Sequence, residues 1–118
     1  RSKRITAFAT DTRYLPCKIP KVETWLIECN YSEAILTENV ENGTVHPVQA
    51  QRVRESHMSL ETCKRALAAN DLRDAQNIIL IHLSSRNSNA KEFQTEIERQ
   101  TGIATYIADT GLRVETIE

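Results

Sequence analysis

Apolar positions along this chain fall into short runs of β-formers, separated by stretches whose apolar residues recur at helical spacing. The strongest run is Ile78-Ile79-Leu80-Ile81. Four β-formers in a row predict a strand buried on both faces, of the kind found in a sheet covered by helices. The run ends in His82-Leu83-Ser84-Ser85-Arg86. In layered α/β folds, ligands collect where strands leave the sheet in this way.

Other segments arrange themselves around that strand. Lys3 to Thr10 alternates as a strand, with Ile5, Ala7 and Ala9 on one face. Pro16 and Pro20 make Tyr14 to Lys21 a loop, because proline lacks the donor that a central strand needs. Thr24-Trp25-Leu26-Ile27-Glu28-Cys29 is a second short strand, left at Asn30-Tyr31. Ser32 can cap a short helix to Leu36, Asn42-Gly43 marks a turn, and Pro47 to Glu55 has the composition of a polar helix. Its Arg52 and Arg54 read as a solvated face. Ser59 is an N-cap with Glu61 in the first turn. Leu60, Cys63 and Leu67 then form one stripe of a helix to about Asn70. Asn89, with Glu92 three residues on, opens another helix with Phe93 and Ile97 on its apolar face and Gly102 as its stop. Ile103–Ala108 and Leu112–Ile117 read as strands joined by a hairpin at Asp109-Thr110-Gly111. The order is strand, strand, helix, strand, helix, strand, strand, an α/β layered pattern.

Composition narrows the class. The 118 residues are enough for one domain and too few for two. They carry 15 basic and 16 acidic side chains, a net charge of −1, so no basic excess points to non-specific nucleic-acid binding. No apolar run approaches the roughly 20 residues of a membrane span, and no signal peptide is visible. Cys17, Cys29 and Cys63 form an odd set with no C-x-x-C pair. That fits reduced thiols in the cytoplasm, not a disulfide framework or a thiolate zinc site.

Candidate chemistry lies at four similar places. Asp11 follows Phe8-Ala9-Thr10, and Glu28 lies near the end of Trp25-Leu26-Ile27. His57 stands just before the Ser59 cap, and His82 ends the central strand. If the strands run parallel, these ends share one rim, where carboxylates and imidazoles suit zinc or manganese. Each residue also has a plain structural role: turn residue, surface charge, cap neighbour and strand-end histidine.

These motifs, in order, resemble the C-terminal half of a metallo-β-lactamase-fold hydrolase, nearest the branch of tRNA 3′-end-processing ribonucleases. Thr10-Asp11-Thr12-Arg13 matches the family's Asp-Thr-Gly motif, with Arg13 in place of the glycine. Leu26-Ile27-Glu28-Cys29-Asn30-Tyr31 matches a His-Glu-Ala-Thr-like strand end, of which Glu28 is kept. Ser56-His57-Met58-Ser59 matches Gly-His-Ser, and Ile81-His82-Leu83-Ser84 matches Thr-His-x-Ser. The resemblance runs from about residue 4 to residue 108. The family's first-half motif, His-x-His-x-Asp-His, is absent: the histidines are His46, His57 and His82.

The resemblance implies half of a four-layer αββα fold, a mixed sheet covered by helices, with residues 1–118 as a single C-terminal half-domain. It implies a dinuclear metal-dependent hydrolase of phosphodiesterase or ribonuclease type, acting by metal-bound hydroxide on RNA or another phosphodiester. Asp11 would bridge two divalent ions, zinc or else manganese, and His82 would bind one of them. His57 would act as catalyst, oriented by Glu28, with Ser84 and Arg86 toward the substrate. The partner would be an N-terminal half outside this chain. The chain alone would be inactive, and would either pair with a second copy through its uncovered sheet face or stay bound to its other half. The alternative is a non-catalytic α/β interaction or regulatory domain.

Overall fold

The computed structural model describes residues 23–108, together with the backbone of a strand at residues 6–9. Asp11, Cys17, the expected hairpin at residues 109–111 and the expected strand at residues 112–117 lie outside the described residues. The elements are β1 (Thr6–Ala9), β2 (Thr24–Glu28), α1 (Glu33–Glu41), α2 (Pro47–Ser56), α3 (Leu60–Ala68), β3 (Asn77–Ile81), α4 (Ala90–Thr101) and β4 (Ala104–Ile107). They form an α/β domain around a sheet of order β1-β2-β3-β4.

Every described pairing is parallel, with Trp25 opposite Ile78, Glu28 opposite Ile81, and Ile78 opposite Thr105. The mixed sheet that the resemblance implies is not seen among the described residues, where no strand pairs antiparallel. Among the described residues, no helix is long and apolar enough to cross a membrane.

Local signals explain the helix ends. The Ser32 side chain accepts from Ile35 N–H at 3.0 Å, Ser59 from Thr62 N–H at 3.0 Å, and Asn89 from Glu92 N–H at 3.0 Å. Each such cap is worth about 1 kcal/mol. The first helix runs on to Glu41, past the expected end at Leu36, and stops at Asn42, before Gly43 at φ 83°. The cap of α2 is His46, whose Nδ1 accepts from Val48 N–H at 3.1 Å. Imidazole is an unusual cap, and nothing in the pattern pointed to it. Arg54 is not simply solvated: its Nε donates to both Glu33 carboxylate oxygens, at 3.1 and 3.2 Å.

One face of the sheet carries the main core. Trp25 and Ile27 from β2, and Ile78 and Leu80 from β3, pack with Met58, Leu60, Cys63 and Leu67 around α3 and with Phe93 and Ile97 of α4. Burying one such large apolar side chain contributes about 1.5–3 kcal/mol. The other face is different. Leu26, Ile79 and Tyr106 lie side by side in register and are only half-buried. The central strand is therefore not buried on both faces along its whole length, because the helical cover packed on Ile78 and Leu80 lies on the opposite side from Ile79. A smaller cluster, Tyr31, Leu36, Val45 and Ala50, holds α1 and α2 together.

Candidate functional site: a buried carboxylate between two histidines

The site grows from the C-terminal end of β2. Beyond Glu28 the chain stays extended and is flanked on both sides. Toward β3, Cys29 N–H donates to the Ile81 carbonyl at 3.0 Å, and Ser84 N–H donates to the Asn30 carbonyl at 2.8 Å. On its other edge, Asn30 N–H donates to the Met58 carbonyl at 2.9 Å, and Leu60 N–H to the Tyr31 carbonyl at 2.7 Å. A parallel bridge between Tyr31 and Ser59 continues that contact. The tail of β2 thus holds the His57–Met58 segment on one side and the end of β3 on the other.

Glu28 is fully buried at this junction. Its Oε2 accepts from Met58 N–H at 2.6 Å and lies 3.1 Å from His57 Nδ1. Its Oε1 lies 3.0 Å from His82 Nδ1. A carboxylate is an acceptor, so each ring carries its hydrogen on Nδ1 and directs its chemistry through Nε2. A carboxylate behind an imidazole is the arrangement that fixes tautomer and orientation in metal-binding and acid–base histidines. The His57 and His82 side chains remain 34% and 47% exposed, so both rings reach solvent while their anchor does not.

His82 leaves β3 at φ 60°, the sole described non-glycine residue with positive φ. Such a conformation costs on the order of 1–3 kcal/mol and tends to occur at functional sites. The next residues form a tight loop. Ser84 Oγ accepts from Arg86 N–H at 3.2 Å and Asn87 N–H at 3.1 Å. The Asn87 carbonyl accepts from Ser32 N–H at 3.0 Å, and its side-chain oxygen accepts from Asn39 Nδ2 at 2.8 Å. Beside His82 lies an open cavity of about 570 Å³, whose walls include Leu83, Ser84, Ser85, Ser88 and Ile107. Ser84 reaches this wall while its hydroxyl also shapes the loop. Arg86 is exposed and does not line the cavity.

The two described cysteines, Cys29 and Cys63, are free and fully buried in the core. The neighbouring Cys63 side chain, and after it burial, push the Cys29 thiol well above its ordinary value. A protonated buried thiol is a poor metal ligand.

Of the expected site residues, the structure brings Glu28, His57 and His82 together through direct contacts, and it places Ser84 beside them. Asp11 lies outside the described residues. Among the described residues, no group of three or more His, Cys, Asp or Glu side chains is arranged to hold a metal ion. Asn30 also belongs to the site: its Nδ2 donates to the His82 carbonyl at 2.8 Å across 52 residues of sequence. No sequence signal links two positions that far apart.

Comparison with protein-family models, curated proteins and solved structures returned no match for this chain. The resemblance to metallo-β-lactamase-fold hydrolases therefore rests on the residues quoted above.

Proposed function

We propose that this chain is the C-terminal half of a dinuclear metal-dependent hydrolase, of phosphodiesterase or ribonuclease type. The observation that carries the reading is Glu28. A fully buried carboxylate anchors the Nδ1 atoms of two half-exposed histidines from different elements. A buried carboxylate is costly unless paired, and this one is spent on holding two imidazoles in a set orientation.

The residues present fit part of a metal site. With His82 Nδ1 on Glu28, Nε2 is the nitrogen that would ligate. Asp11 would supply a carboxylate, and the remaining ligands would come from the His-x-His-x-Asp-His segment of an N-terminal half. When bound, divalent zinc or manganese would supply Lewis-acid activation and charge neutralisation at a phosphodiester. The chain's own residues do the rest. Glu28 holds His57 with Nε2 outward, where it can take up a proton and deliver it to a leaving oxygen. The cavity beside His82 offers serine hydroxyls and apolar wall to the substrate.

The test is metal content by plasma emission, together with turnover of a chromogenic phosphodiester, on the natural gene product that carries this sequence. His82→Ala and Asp11→Ala should each lose bound metal and most activity. His57→Ala should keep its metal and lose turnover by about 10²–10⁴-fold. Unchanged metal content in the first two variants would overturn the ligand assignment. A natural protein with neither metal nor turnover would instead be a non-catalytic α/β interaction or regulatory domain.

A further inference from the structure

We propose that the side-chain amide of Asn30 is a positioning group that holds His82 in its left-handed backbone, and so sets where the imidazole stands against Glu28. The proposal rests on the reading of His82 as a site residue.

Asn30 touches both histidine-bearing segments. Its N–H donates to the carbonyl of Met58, the neighbour of His57, at 2.9 Å, and its carbonyl accepts from Ser84 N–H at 2.8 Å. Any residue but proline at position 30 could make these two main-chain bonds. The bond from Nδ2 to the His82 carbonyl, at 2.8 Å, needs an amide of this length. It grips the one carbonyl that belongs to the positive-φ residue. Histidine tolerates φ near 60° better than most side chains, but such a conformation persists only where its surroundings over-determine it. The bonds on either side of residue 82 would not suffice. Cys29 N–H holds the Ile81 carbonyl, which fixes the peptide before the His82 N–Cα bond, and Ser84 N–H holds the Asn30 carbonyl one peptide further on; the bond from Asn30 Nδ2 fixes the carbonyl side of His82 itself. With that carbonyl released, rotation about the His82 N–Cα bond out of the left-handed region swings its carbonyl carbon and its Cβ together, and Nδ1 leaves Oε1. His57 reaches Glu28 from another segment and does not depend on this bond.

The experiment reads ring geometry by nitrogen-15 NMR of the chelator-treated chain, with no turnover involved. It can therefore fail while the hydrolase reading stands, and the reverse. In the native chain both rings should show the Nδ1–H tautomer. In Asn30→Ala, His82 should lose that signature and give a mixture containing Nε2–H, while His57 keeps its own. Retention of the His82 signature would overturn the proposal. So would loss of both signatures in a folded protein, since Asn30 would then support the site as a whole and not His82. If Asn30→Ala does not fold, Asn30→Ser, whose hydroxyl is too short to span the gap, is read in the same way. Failure of both to fold would also overturn it, because a bond on an exposed loop would then be carrying the core.

Discussion

Replacing Glu28 by glutamine tests the centre of the site with almost no change of shape. The carboxylate presents two acceptor oxygens to at least three groups: Met58 N–H and His57 Nδ1 on Oε2, and His82 Nδ1 on Oε1. An amide has only one oxygen. It should turn toward the side with two donors, keeping Met58 and His57. The amide NH₂ then faces His82 Nδ1, donor against donor. His82 must either move away or shift its hydrogen to Nε2. Because Glu28 is fully buried, the lost charge-assisted bond is not screened at its end, although water can reach the half-exposed ring. The expected loss of stability is about 1–3 kcal/mol. Glu28→Ala should cost more, about 3–5 kcal/mol, since it also leaves the Met58 N–H without its partner. Urea unfolding followed by circular dichroism gives the energies, and nitrogen-15 NMR gives the tautomers. The reasoning fails if Glu28→Gln is as stable as the native chain and His82 still carries its hydrogen on Nδ1. That result would mean the carboxylate does not set the tautomer of the ring.

Two further outcomes follow from features away from the histidines. The half-buried row Leu26–Ile79–Tyr106 should make the chain self-associate into a dimer, and Ile79→Lys should return it to monomer; light scattering showing a native monomer would refute this use of the face. In the loop after α3, the Arg73 side chain, helped by its N–H, holds the Asp71 carboxyl at about 2, below its ordinary 3.8. A depressed folded value means this contact supports the fold above the unfolded value and is lost as the pH falls toward about 2. A carbon-13 titration should find the Asp71 midpoint rising toward 3.8 in Arg73→Ala, and no rise would rule the contact out.

Much of the fold was legible in the chain because its signals are local. Caps at Ser32, Ser59 and Asn89, the stop at Gly102, and the stripes Leu60–Cys63–Leu67 and Phe93–Ile97 concern residues within one or two turns of each other, and the described elements follow them. Continuous apolar runs likewise located β2 and β3, but they could not say which face would be covered. Ile79 is as apolar as Ile78, and only the placement of α3 and α4 on one side left it half-exposed. The extension of α1 to Glu41 was hidden for a similar reason. Its residues 37–41 are mostly polar, and Leu36 is buried by Tyr31, Val45 and Ala50, which only the folded chain brings to it.

The candidate site divides in the same way. Glu28, His57 and His82 could be picked out from the sequence because each sits where a strand or loop meets a helix or sheet edge. The resemblance further suggested that Glu28 orients His57. That one carboxylate would hold both rings, one on each oxygen, was decided by tertiary structure alone. The parallel pairing of β2 with β3 sets Glu28 opposite Ile81, one residue before His82, and the Tyr31–Ser59 bridge brings His57 in from the other edge. Nor does the chain's order reveal that His82 would turn to positive φ, or that Asn30 would hold its carbonyl, because backbone conformation at a strand end is set by partners 52 residues away rather than by neighbours in sequence.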